Sequence, residues 1–288
     1  AFCALLFCSA TSVMAEHHQA TTIVWQTPLP EVGQSDVLVY GNHVYLMSFE
    51  PLPDDAVVQK SRRSKALKVK DLGTVGQCFD KTTGKLLWEV SLPSKREGGV
   101  LGLWRDASSF CPAANDQYVV FYNTSAGCLV CCDHDGKEVW RRTFNTPNSH
   151  VKNCRLYFHE DRLIAGLPVS GDWSDKRPLY RLHAIDPATG KNFWVSETPQ
   201  SIAAHYRLGR WQDQDVAVTN IQPLSHWQFG RPNEVFLISL RDGSTLRSIK
   251  ASTSAHQVSP LMDNQVLCIT GTTIDDEPRG VIEYRDWE

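Results

Sequence analysis

An all-β chain built from repeated four-stranded units is the architecture this sequence predicts, on three observations. The first is a recurring phrase: QCFDKTTGKLLW at 77–88, VCCDHDGKEVW at 130–140, HAIDPATGKNFW at 183–194 and ISLRDGSTLR at 238–247. Aligned on Gly84, Gly136, Gly190 and Gly243, the copies put Trp88, Trp140, Trp194 and Arg247 four residues later, at successive spacings of 52, 54 and 53. A near-constant period of this size marks a repeat architecture. The second is composition: 15 prolines and 18 glycines punctuate runs rich in Val, Ile, Tyr and Trp, which favour strands over helices. The third is the lack of any sustained 3.6-residue apolar stripe, so helices are expected to be few.

Each copy reads as strand, tight turn, strand. In DPATG (186–190) the acid bonds amides of its own turn, and the glycine supplies the positive φ the turn needs. The following Trp falls on the second strand of the hairpin. A large flat ring at a fixed place in each repeat predicts packing between neighbouring units. Upstream lie two more strand-like runs, such as SSFCPAAN with QYVVFYNT before GCLVCCD, and CRLYFHE with RLIAGLPV before LYRLHAID. The last unit repeats the scheme with HQVSPLMD, QVLCITGTT and GVIEYRD. Four strands in about 50 residues make one β-propeller blade.

The pattern A-x-D-x-x-x-G-K-x-x-W, carried by Ala184, Asp186, Gly190, Lys191 and Trp194, resembles the tryptophan-docking motif of pyrroloquinoline quinone (PQQ)-like β-propeller repeats. Asp80, Gly84, Lys85 and Trp88 match it again. The copy ending at Trp140 is one residue shorter in its turn, and the fourth lacks the Trp. The resemblance covers nearly all of residues 22–288 and implies the fold. It does not imply one chemistry, because the family mixes quinoprotein dehydrogenases with non-enzymatic propellers, among them a lipoprotein of the outer-membrane protein assembly machine.

Residues 1–15, AFCALLFCSATSVMA, read as the core and cleavage region of an export signal, and 16–288 as the propeller. TIVWQTPLP at 22–30 looks like a fourth strand with its own Trp25, and GVIEYRDWE at 280–288 stops after a third. Pairing of 22–28 with the strand ending near Tyr284 predicts four whole blades plus a composite one. The alternative is part of an eight-bladed ring, the usual size in the family.

A net charge of -3 gives no general pull toward nucleic acid, and no segment after residue 15 is long and apolar enough to span a membrane. Of nine cysteines, most lie inside apolar strand patterns and read as small buried hydrophobes. Cys128 and Cys131 form a C-x-x-C whose side chains, on a strand, face opposite ways, which disfavours a redox or metal pair. Cys131 and Cys132 are adjacent. The quinoprotein alcohol dehydrogenases that the fold resembles hold a vicinal disulfide against PQQ, but in a separate loop, whereas this pair precedes Asp133 inside the repeat.

His150, His205 and His256 precede the first strand of three successive units, 10, 11 and 9 residues after the docking position, and Gln34 stands nine after Trp25. That phase begins the innermost strand, so these four are the ligand candidates at the channel mouth. Trp173, Trp211 and Trp227 stand with Trp104 in polar or Gly-flanked stretches that read as loops, and are candidate partner anchors. KSRRSKALKVK (60–70) reads as a solvated loop within a long insertion. Asp80, Gly84, Trp88, Gly136, Trp140, Asp186, Gly190 and Trp194 form the structural docking set. No nucleophile elbow, zincin, Walker or dinucleotide fingerprint is present, and no catalytic or metal residue is assigned. The expected function is an exported, non-enzymatic binding or scaffolding module, with a protein partner or small ligand at the funnel face and no cofactor. The alternative is a PQQ- and calcium-dependent dehydrogenase of alcohols or sugars.

Overall fold

The computed structural model describes residues 23–29, 35–52, 58–60, 67–70, 73–93, 97–101, 112–123, 127–144, 155–174, 177–197, 206–221, 233–251, 254–260, 265–274 and 277–286. The chain is a β-propeller. Its first stretch holds β1 (Leu38–Tyr40), β2 (His43–Phe49), β3 (Val58–Lys60), β4 (Leu67–Lys70), β5 (Thr74–Asp80), β6 (Leu86–Leu92) and β7 (Glu97–Leu101). Blade one is the antiparallel sheet β1-β2-β5-β6. Blade two is β8 (Ala113–Ala114), β9 (Tyr118–Asn123), β10 (Cys128–Asp133) and β11 (Glu138–Thr143). Blade three is β12 (Leu156–His159), β13 (Arg162–Ser174), β14 (Arg177–Ile185) and β15 (Asn192–Val195). Blade four is β16 (Tyr206–Trp211), β17 (Gln214–Ile221), β18 (Asn233–Ser239) and β19 (Thr245–Ala251). A three-stranded fifth sheet follows: β20 (Ser254–Pro260), β21 (Gln265–Ile274) and β22 (Glu277–Asp286).

The cores lie between blades, not within them. Val119, Phe121, Cys128, Val130 and Cys132 of blade two pack on Tyr45, Met47, Cys78 and Leu92 of blade one. From the same strands, Val120, Tyr122, Leu129 and Cys131 face Leu163, Ala165, Leu167 and Tyr180 of blade three. Ile164, Leu182 and Ala184 then meet Ala217, Phe236 and Ile238 of blade four. A strand buried on both faces has no polar side, which is why CLVCCD and YVVFYN read as continuous apolar runs. In the outer strand β6, exposed and half-buried residues alternate from Leu87 to Ser91, as one covered face requires, and no residue of the outer strand β11 is fully buried.

Three expectations change. Residues 23–29 form no strand; β22 pairs with β21 alone among the described residues, and residue 22 lies outside them. The segment is anchored through side chains instead, and Pro28 has no amide to give a ladder. The basic run at 60–70 is not simply a solvated loop: β3 and β4 pair with each other, and β4 pairs with β7 in a separate sheet. Val58, Leu67 and Val69 alternate with polar residues, and Val100 and Leu101 come from the next connection, giving that sheet its apolar members. Trp173 and Trp211 lie on strands, opposite Pro178 and Gln214, and not in loops. No helix among the described residues is long and apolar enough to cross a membrane.

Candidate functional site

The recurring phrase folds into one repeated joint. In the turn after β5, the Asp80 carboxylate accepts bonds from the amides of Thr82 and Thr83 and from the Thr83 hydroxyl. These donors hold the Asp80 carboxyl below its ordinary value. Asp133 does the same for Asp135 and Lys137, and Asp186 for Ala188 and Thr189. In the fourth copy Ser239 substitutes, accepting from Arg241. The turn glycine then bonds back to the carbonyl of that first residue, at 2.9 Å for Gly84, 3.2 Å for Gly136, 2.8 Å for Gly190 and 2.9 Å for Gly243.

Onto each glycine lies the tryptophan of the preceding unit. A Cβ on Gly84 would sit 2.5 Å from Trp25 Cδ2; on Gly136, 2.6 Å from Trp88 Cγ; on Gly190, 2.7 Å from Trp140 Cδ2; on Gly243, 2.6 Å from Trp194 Cε3. These glycines have φ between +70° and +89°, which L side chains rarely adopt. Each indole Nε1 donates to the carbonyl one residue after the capping position: Trp25 to Lys81 (2.9 Å), Trp88 to His134 (2.9 Å), Trp140 to Pro187 (2.6 Å) and Trp194 to Leu240 (3.2 Å). The rings are half-buried, with one face on the glycine. Trp25 takes part although its segment is not a strand.

Two histidines outside the sequence expectation sit in these joints. His134, in the shortened turn, places Nε2 2.8 Å from the Asn115 carbonyl and Nδ1 2.6 Å from the Tyr45 hydroxyl. A carbonyl only accepts, so Nε2 carries the hydrogen and the Tyr45 hydroxyl donates to Nδ1. The ring stacks on Tyr40 and His43, at 5.9 and 5.8 Å between centroids. Blade two thus clasps blade one with a side chain as well as a turn. His183, on β14, is buried, and burial pushes its imidazole down to about 4; the Asn192 hydrogen bond opposes this, while Arg142 and Arg181 add to it. Arg142, from β11, reaches across to the Gly190 carbonyl and Asn192 Oδ1. No sequence pattern distinguished these residues; only the non-local pairing of blades does.

Of the four ligand positions expected at the channel mouth, His256 alone falls among the described residues. Gln34, His150, His205 and Trp227 lie outside the described residues, as does Trp104. His256 lies on β20 where its pairing with β21 skips a residue, between Ala255 and Gln257. Trp173 is near the tip of the long β13–β14 hairpin. Because the strands alternate, this tip and the starts of β16 and β20 lie at the end of their blades opposite the docking turns. Trp211 stands at the other end, half-buried, its Nε1 shielded from water and without a partner.

Cys131 and Cys132 point into different cores, toward blade three and blade one, and both are free thiols. Burial raises both, Cys132 to about 12. They do not form the vicinal disulfide shelf that would hold PQQ. The turn acids Asp80, Asp133 and Asp186 are occupied by donors of their own turns.

No curated protein matches the chain significantly by sequence. Among solved structures it is similar to quinohemoprotein alcohol dehydrogenases from Pseudomonas putida (10% identity, TM-score 0.46) and Comamonas testosteroni (12%, TM-score 0.46). These alignments cover 90% and 88% of this chain but only 39% of each enzyme, so the chain spans about two-fifths of their length. It is also similar to BamB from Moraxella catarrhalis, with 14% identity and a TM-score of 0.31 over 91% of this chain and 88% of that one. A family model described as outer membrane protein assembly factor BamB matches residues 71–279. That span runs from just before β5 into β22, and on it the chain belongs to the outer membrane protein assembly factor BamB family of β-propellers.

Proposed function

We propose that this protein is an exported, non-enzymatic propeller that binds a protein partner or small ligand on the end of the blades opposite the docking turns. One observation carries this reading: the groups that the repeat places at fixed positions are used in joining blades. Each turn acid caps its own amides, each glycine receives a ring, and each indole hydrogen is donated to a neighbouring carbonyl. The adjacent cysteines are core residues of two separate interfaces. Most of the variation between blades is at the other end. There β13–β14 and β21–β22 project as long hairpins, and β3, β4 and β7 add an extra sheet. Variable connections on a rigid scaffold are where binding specificity resides.

The test has two arms. The purified chain is titrated with PQQ and calcium, followed by absorbance and by alcohol- or sugar-dependent dye reduction. Separately, a photo-crosslinking residue replaces Trp173 in the host, with one at Val139 on the outer strand as control. Discrete adducts at 173 and not at 139, without turnover, support the reading. Stoichiometric cofactor binding with turnover establishes the dehydrogenase instead.

A further inference from the structure

We propose that His159, Glu160 and Asp215 form a divalent transition-metal site, of the zinc class, that ties blade three to blade four. His159 ends β12, and Glu160 is the first residue of the turn into β13. Asp215 comes from the corresponding hairpin of the next blade. That hairpin is longer: Gly209 pairs with Val216, and Arg210–Asp215 and Trp211–Gln214 continue the ladder beyond it. The added length carries Asp215 over blade three. A bond of 3.0 Å from the Leu240 amide to its carbonyl fixes its backbone. One potential ligand atom from each of the three side chains lies within 4.8 Å of the other two.

The chemistry of the set selects the ion. One imidazole nitrogen and two carboxylate oxygens suit a borderline divalent cation such as Zn²⁺, whereas Ca²⁺ needs six to eight oxygens. The geometry agrees. His159 Nε2 is 3.4 Å from Asp215 Oδ2. A charge-assisted N–H···O bond closes to about 2.7–2.9 Å. Two ligand atoms bonded at about 2.0–2.2 Å across a tetrahedral angle stand about 3.3–3.6 Å apart. The pair is spaced as ligands of a shared ion. Nearby acids are engaged elsewhere: Asp161 with Arg162 at 3.3 Å and Asp213 with Arg210 at 3.6 Å. Water completes the coordination, because Glu160 and Asp215 are open to solvent.

The full chain is titrated with Zn²⁺ against a chromophoric chelator, then with Co²⁺ as a spectroscopic substitute. One equivalent is expected to bind with nitrogen and oxygen ligands, giving visible Co²⁺ bands without the near-ultraviolet thiolate charge-transfer band that the cysteines would produce. His159→Ala and Asp215→Asn should each weaken binding at least about tenfold, while the metal-free melting curve stays within a degree or two of the parent's. Zn²⁺ should raise the melting temperature of the parent and not of the variants. Equal binding by parent and variants, a thiolate spectrum, no saturable Zn²⁺ binding, or Ca²⁺ binding of equal strength overturns the assignment.

Discussion

Adding one methyl group at Gly190 tests the joint directly. Alanine there meets two penalties. At φ +71° it occupies the left-handed region, at about 1–2 kcal/mol. Its Cβ also falls 2.7 Å from Trp140 Cδ2, so the ring must move away. Moving the ring strains or breaks the 2.6 Å bond from Trp140 Nε1 to Pro187, about 1 kcal/mol, and opens ring contacts worth roughly another 1 kcal/mol. The expected total is about 3–4 kcal/mol. Gly41 supplies the control. It has φ +56°, yet a Cβ there meets nothing within 4 Å, so Gly41→Ala pays the backbone cost alone. Urea unfolding followed by tryptophan fluorescence gives both midpoints, and a shared slope converts them to free energies. The difference of about 2 kcal/mol isolates the ring contact and its hydrogen bond. Equal losses at the two positions would falsify the docking account, whatever their absolute size.

Trp140→Ala should cost roughly 3–5 kcal/mol, against a smaller loss for Trp140→Phe, which keeps a ring on Gly190 but gives up the Pro187 bond; denaturant midpoints decide. His183 predicts a pH dependence. Its folded value of about 4 lies below the unfolded value near 6.5, so its contribution is complete above pH 6.5 and is lost as the unfolded chain takes up a proton. Stability should fall by about 2 kcal/mol between pH 7 and pH 5, and His183→Gln should flatten that slope; parallel slopes would refute it. Cys78, Cys128, Cys131 and Cys132 should resist thiol reagents in the native state and react on unfolding, as read by peptide mapping. A native 131–132 disulfide in those maps would contradict the two-core placement.

The blade was legible because its signals are local. An acid, a glycine four residues on at Asp80–Gly84 and Asp186–Gly190, and a tryptophan four further identify a turn and its hairpin without knowledge of the rest. The opposite facing of Cys131 and Cys132 also follows from strand alternation. Trp25 matched the docking position by register alone, and its ring is found on Gly84. What escaped depends on pairing between distant segments. The sheet β3-β4-β7 joins residues from two connections, and a run of lysines and arginines gave no reason to expect a ladder. The clasp of Tyr45 with His134 needs blades one and two side by side. The approach of Asp215 to His159 needs the greater length of one hairpin, a matter of where pairing stops rather than of residue type.

Each joint has a direction. The indole always comes from the segment that precedes a blade in the chain and the glycine from that blade's own turn, from Trp25–Gly84 through Trp194–Gly243. Such a contact is head-to-tail, with different surfaces on its two sides. Nothing in it counts: a blade carrying both halves can follow any other, and removing one whole period would bring the hook before it to the catch after it. Ring size is therefore set by the small rotation between adjacent blades and by their packing, not by the recognition between them. A lineage built on this joint can gain or lose blades by duplication or deletion in register, while every remaining seam keeps its chemistry.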